Sequence, residues 1–182
     1  MKHLKDKLVS LIRSWFLLLL LSLFGIVAAG AAERIVFQRQ ELSGTANNLV
    51  VMDDDSDHPA EFPLDTVLTG SRIHPTLSPD MKTVVFSAQT EGGHYRLFRW
   101  EIDENNMVVG AARRVIPAAT DENWGDEFFP AFSHDGTRLA MLVDEGAGNY
   151  TLRVMNSDGS KVRMLSHVNS AAPLQWRADD SM

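Results

Sequence analysis

The chain contains no cysteine. Disulfide frameworks, thiolate metal sites, cysteine nucleophiles and a lipid-bearing lipobox cysteine are therefore excluded together. An excess of positive charge is missing too, since 17 basic residues face 24 acidic ones for a formal charge of −7. Residues 1–32 hold Lys2, Lys5, Lys7 and Arg13 against Asp6 alone, which leaves 13 basic and 23 acidic residues beyond position 32, a net of −10. So acidic a region makes a poor surface for nucleic acid or anionic lipid, whose phosphates need a basic patch. Catalytic signatures are also lacking. There is no Gly-x-Ser-x-Gly elbow, no His-Glu-x-x-His, no Walker loop and no Gly-x-Gly-x-x-Gly. What is present, 45% hydrophobic and 23% charged residues over a length of 182, is the composition of one modest globular domain.

One long apolar run occurs, WFLLLLLSLFGIV over 15–27. Basic residues precede it, and Ala28-Ala29-Gly30-Ala31-Ala32 follows it with the small side chains a signal peptidase needs. That order is the n-, h- and c-region order of a secretory signal peptide, here a signal helix over 1–32. The alternative is an uncleaved anchor, because the 18 residues of 15–32 are just enough to span a bilayer. The small-residue tail favours cleavage. Both readings place the rest of the chain beyond the inner membrane, in the periplasm or secreted, touching the membrane only through this segment if it is retained.

The remainder repeats. His74-Pro75-Thr76-Leu77-Ser78-Pro79-Asp80 aligns with Phe129-Pro130-Ala131-Phe132-Ser133-His134-Asp135, and a third copy begins at Pro173-Leu174-Gln175-Trp176-Arg177-Ala178-Asp179 with one residue more. Asp80, Asp135 and Asp179 stand 55 and 44 residues apart, close to the spacing of four-stranded propeller blades. Each unit reads as strands A to D. A is the Pro-x-apolar piece ending in a Ser-x-Asp turn. B covers 83–87 or 138–143, C covers 95–102 or 150–155, and D covers 113–116 or 161–165. In 150–155, Tyr150, Leu152 and Val154 alternate with Thr151 and Arg153, the period of a strand. Asp135-Gly136 and Asp158-Gly159 supply turns in which glycine takes positive φ. Pro75, Pro130 and Pro173 sit at strand starts, where a missing N–H does little harm. Upstream, 34–37, 48–53 and 66–69 read as B, C and D of an earlier unit.

The fold class is thus all-β: a partial β-propeller of four-stranded antiparallel blades over 33–182, with blades near 33–70, 74–117 and 129–166 and the start of another at 173–182. Such a chain opens on strand B and stops just past a strand A. This suggests either a truncated product or a head-to-tail homodimer in which 173–176 completes the partner's first blade.

Phe132-Ser133-His134-Asp135-Gly136, the strand after it and Val154-Met155-Asn156-Ser157-Asp158-Gly159 resemble the repeats of TolB-like β-propeller proteins. The resemblance covers nearly all of 34–180. It implies a periplasmic six-bladed propeller. For TolB itself it implies a part in the Tol–Pal envelope system with a peptidoglycan-associated lipoprotein as partner. Similar repeats occur in the propellers of prolyl-oligopeptidase-type serine peptidases. This sequence departs from TolB in lacking the preceding α/β domain and in having about half the blades.

Ser78, Asp80, Ser133 and Asp135 are expected to hold the A–B turns by side-chain-to-backbone hydrogen bonds, with Gly136, Asp158 and Gly159 as further turn residues. Trp100, Phe132 and Trp176 read as aromatics between sheets. Asp53-Asp54-Asp55-Ser56-Asp57 begins like a calcium loop, but His58 stands where glycine is needed and Leu64 where a bidentate acid is needed, so it reads as a solvated turn. His58, His74, His94, His134 and His167 are scattered over turns and strand edges. Neither metal nor cofactor is implied. The loop Trp124-Gly125-Asp126-Glu127 leads into a strand A, and Trp124, Asp126 and Glu127 are the candidate ligand contacts. The expected function is a non-catalytic binding or scaffolding module of the cell envelope, with a protein or glycan as partner. The alternative is the propeller portion of a serine peptidase or sugar lyase whose catalytic residues lie elsewhere.

Overall fold

In a computed structural model of the chain, residues 33–40, 47–53, 60–61, 68, 70–117 and 124–180 are described. The expected signal helix lies outside them, as do 54–57 of the acidic run. Within 33–182 the regular structure among the described residues is strand alone. Apolar stretches cut at seven- or eight-residue intervals by Gly, Asp and Asn turns leave no room for a helical stripe. No helix among the described residues is long and apolar enough to cross a membrane.

Three antiparallel sheets follow one another along the chain. In the first, β1 (Arg34–Gln40), β2 (Asn47–Asp53) and β3 (Ala60–Glu61) lie in sequence order. The second orders β4 (Arg72–Leu77), β5 (Thr83–Gln89), β6 (Tyr95–Ile102) and β7 (Val108–Arg114). The third orders β8 (Asp126–Phe132), β9 (Arg138–Asp144), β10 (Tyr150–Asn156) and β11 (Arg163–Val168). The second and third are the A-B-C-D blades of a partial propeller.

Strands B and C fall where the alternation places them, and the outer strands do not. D of the middle blade starts at Val108 rather than 113, and D of the last runs to Val168 rather than 165. In the first blade Ala60–Glu61 pairs with Val50 and Val51; of the expected 66–69 strand only Leu68 is among the described residues, and it is buried in the core. Exposed outer strands carry little burial pattern to read. The inner strands start before their prolines, at Arg72 and Asp126. Residues 173–176 form no ladder. Instead Trp176 is buried against the third sheet and donates its Nε1–H to the Ala131 carbonyl at 2.9 Å.

The core lies between blades. Leu49, Val51 and Leu68 of the first meet Phe86, Phe98 and Trp100 of the second. Val85, Leu97 and Val115 of the second meet Leu139, Met141 and Met155 of the third, with Phe132 packed alongside. Ala140 and Val154, on the opposite face of the third blade, are covered by Leu174 and Trp176. A strand with neighbours on both faces is buried on both, which is why β5 and β9 each hold five consecutive buried residues.

The A–B turns are copies at atomic detail. The Ser78 hydroxyl donates to Asp80 Oδ1 at 2.6 Å and accepts the Thr83 N–H at 2.9 Å. The Ser133 hydroxyl does the same with Asp135 Oδ1 and the Arg138 N–H at the same two distances. Met81, Gly136 and Asp180 each donate an N–H to the residue three positions back and each have positive φ. The third copy, aligned from sequence through Asp179, is thus a third structural turn. Asp158 and Gly159 occupy the C–D turn of the last blade, where the Asp158 carboxylate accepts the Ser160 N–H at 2.9 Å.

Candidate functional site

The inner strands β4 and β8 share one irregularity. The ladder slips between Ile73 and Thr76 on β4, and between Phe128 and Ala131 on β8. At each slip the residue before proline takes a left-handed backbone, His74 at φ 53° and Phe129 at φ 52°. A non-glycine residue held there costs about 1–2 kcal/mol, and a following proline restricts it further. The proline has no N–H to be orphaned by the break in the ladder.

The bulges bring together side chains of successive blades. The His74 imidazole stacks on Phe129 with centroids 3.9 Å apart at 24°, and Phe128 meets it edge-on at 5.6 Å and 82°. A cavity of about 280 Å³ beside this stack is lined by His74, Pro75, Phe129, Pro130, Pro173 and Leu174. Strand A of two blades and the matching segment of the third copy therefore build one surface, at the inner ends of the sheets. His74 Nδ1 is buried there without a hydrogen bond among the described residues. Burial holds the His74 pKa below its usual value, so the ring is neutral near neutral pH. A neutral imidazole beside aromatic and proline faces suits an apolar group that carries one polar atom.

The candidate contacts Trp124, Asp126 and Glu127 sit at the same blade boundary, in different roles. Glu127, one of the candidate ligand contacts, is 0% exposed, its carboxylate turned to the blade boundary. The reason is where the β7 ladder stops. It ends at Arg114, opposite Phe98; beyond it Val115 donates its N–H to the Leu97 carbonyl at 2.9 Å, and the N–H groups of Tyr95 and Leu97 turn to side chains of β8 instead. Asp126 Oδ1 accepts the Tyr95 N–H at 3.1 Å, and Glu127 Oε2 accepts the Leu97 N–H at 2.7 Å. Arg96 and Arg114 flank Glu127 Oε1 at 3.8 and 4.0 Å. Arg96 also donates to the Gly125 and Trp124 carbonyls at 2.9 and 3.3 Å. Trp124 is partly buried against the core between the second and third blades, under the Arg153 guanidinium at 3.9 Å.

Two histidine–aspartate pairs also occur: His94 of the second blade with Asp126 of the third at 3.1 Å, and His134 of the third with Asp180 of the turn beyond it at 3.0 Å. Asp180 additionally accepts the backbone N–H of His134 at 2.6 Å. Among the described residues neither imidazole is hydrogen-bonded to a hydroxyl, and no group of three metal-ligating side chains occurs.

The stack escaped the sequence reading although both residues were in the alignment. The residue before proline is histidine in one repeat and phenylalanine in the next, so no shared chemistry marked the position.

No family model and no curated protein matches the chain. Solved structures do. A protein described as TolB from Agrobacterium tumefaciens superposes with a TM-score of 0.54 at 19% identity, over 68% of this chain and 42% of that one. TolB from Acinetobacter baumannii gives 0.55 at 17%, over 74% and 30%. A luciferin-regenerating enzyme gives 0.50 at 14%, over 71% and 38%. The chain spans less than half the length of each. Identities this low establish the fold alone, and that fold is a segment of a TolB-like β-propeller.

Proposed function

We propose that this chain is an exported, non-catalytic binding module of the cell envelope that takes a protein or glycan partner on the face built by its inner strands. The observation that carries the reading is the His74–Phe129 stack. Two bulky residues are held in a strained backbone at equivalent points of successive repeats, beside a buried nitrogen with no hydrogen bond among the described residues. Local strain of this kind persists where it serves a site, and a buried polar atom without a partner calls for one. Export is supported by the charge and apolar order of residues 1–32. The net charge of −10 beyond them supports a partner other than nucleic acid.

Capture from an envelope extract with the full chain tests this. His74→Ala and Phe129→Ala should each abolish capture while the melting curve stays cooperative. Undiminished capture by both variants would overturn the assignment to the inner-strand face.

A second reading has its own support, because one of the solved structures sharing this fold is an enzyme and the chain spans only 38% of it. In that reading the chain is the propeller portion of a hydrolase or lyase with its catalytic groups elsewhere. A gene that continues past Met182 into a Gly-x-Ser-x-Gly segment would favour it.

A further inference from the structure

Blades that converge at their inner strands splay at their outer ones, and between the second and third blades the opening is lined by arginine. A cleft of about 410 Å³ is bounded on one wall by Arg99, Glu101, Val109, Arg113 and Arg114, and Asp158 of the next blade's C–D turn faces them. Arg99 and Arg113 are direct cross-strand neighbours on β6 and β7. Like charges directly opposed across a ladder destabilise a sheet, and this pair occurs in a region of the chain whose net charge is −10. Glu101 answers only half of it. Its Oε1 is clasped by Arg99, and its Oε2 accepts the Thr83 hydroxyl at 2.8 Å. Arg113, exposed on the adjacent strand, makes no ion pair with the described residues. Asp158 is held ionised by the hydroxyl and N–H of Ser160, with a smaller contribution from Arg99.

Apolar surface adjoins the arginines. Of the five large hydrophobic side chains exposed among the described residues, Met107 at 59% and Val109 at 56% stand beside or on β7. Val109 lines the cleft itself. Arginine forks match carboxylates in bidentate geometry, and an apolar strip alongside them suits a chain in which acids alternate with aliphatic side chains.

We propose that this peripheral cleft binds an extended acidic peptide segment, with a carboxylate on Arg113 and an aliphatic side chain on Val109. A polypeptide fits better than an acidic glycan, because a glycan supplies carboxylates without an aliphatic partner for Val109 and Met107. The site is separate from the inner-strand face and does not depend on it.

The probe is a fluorescein-labelled peptide alternating Asp and Val, titrated by anisotropy against the full chain in non-ionic detergent. Binding should weaken as ionic strength rises. Arg113→Glu should weaken it by more than about tenfold, the loss of one charge-assisted bond. Arg113→Lys should weaken it less, and Val109→Ser should weaken it with the salt dependence retained. His74→Ala should leave it unchanged even where it abolishes partner capture, which keeps the two sites distinguishable. Undiminished binding by a folded Arg113→Glu chain overturns the proposal. So does absence of peptide binding, or binding of an oligogalacturonate in place of the peptide.

Discussion

Glu127 Oε2 accepts the backbone N–H of Leu97 across the boundary between two blades, at 2.7 Å. A side chain of one sheet thereby supplies an acceptor that the β7 side of the next does not provide, and Asp126 does the same for the Tyr95 N–H.

Glu127→Ala should therefore destabilise the chain by about 3 kcal/mol, because it strands a buried N–H and leaves Arg96 and Arg114 without their buried counter-charge. Glu127→Gln keeps an acceptor for Leu97 and should cost less. Urea unfolding of both variants gives the two differences, and equal losses would mean that charge alone matters there.

The C–D turn of the third blade touches the second through glycine. A Cβ on Gly159 would lie 1.8 Å from the Val115 carbonyl oxygen, and φ is +85°. Gly159→Ala should cost on the order of 3 kcal/mol, since the backbone of one blade would have to move. At Gly136 the nearest atom to an added Cβ is Pro79 Cδ at 3.5 Å, so only the positive φ of +69° opposes a side chain. Gly136→Ala should cost about 1 kcal/mol. Thermal melts of the pair order the two effects.

His74 makes stability depend on pH. Its folded pKa lies below the usual 6.5 because of burial, so below that value the unfolded chain binds a proton that the folded chain resists. The His74 contribution is complete above pH 6.5 and is lost as pH falls toward the folded pKa. His74→Phe keeps the stack and should lose less of its melting temperature than the parent between pH 7 and pH 5 (about two units around the ordinary value). Identical slopes would show that the ring is solvated.

Asp135 behaves in the usual carboxylate sense. The Ser133 hydroxyl first, then the N–H and hydroxyl of Thr137, lower its pKa to about 2. Its contribution is present above the ordinary value near 3.8 and is lost as pH falls toward 2. Ser133→Ala should raise the Asp135 midpoint toward the ordinary value. A carboxyl NMR titration reads this directly, and an unmoved midpoint would assign the shift to Thr137.

The parts of the fold that were legible in the sequence are those where short-range chemistry sets structure. Ser78 with Asp80 and Ser133 with Asp135 bond within their own turns, so the repeat and its register could be read locally. β6 was read to its ends, Tyr95 and Ile102, because both faces of that strand are constrained. The outer strand β7 was misplaced because Val109, Gly110 and Ala111 face solvent and carry no period. The burial of the candidate contact Glu127 is not legible, because nothing in its neighbourhood of the chain reveals that the β7 ladder ends before the Leu97 N–H. The His74–Phe129 contact joins residues 55 positions apart in sequence and depends on two ladder slips; Pro75 and Pro130 mark where each ladder breaks but not which ring the break brings across.

A nuclear Overhauser spectrum of the full chain tests most directly whether successive sheets meet at their inner strands. Cross-peaks between the imidazole protons of His74 and the ring protons of Phe129 are predicted, together with peaks from His74 to Phe128. An imidazole whose aromatic contacts all lie within its own sheet would contradict the stacking of blades and remove the binding face with it.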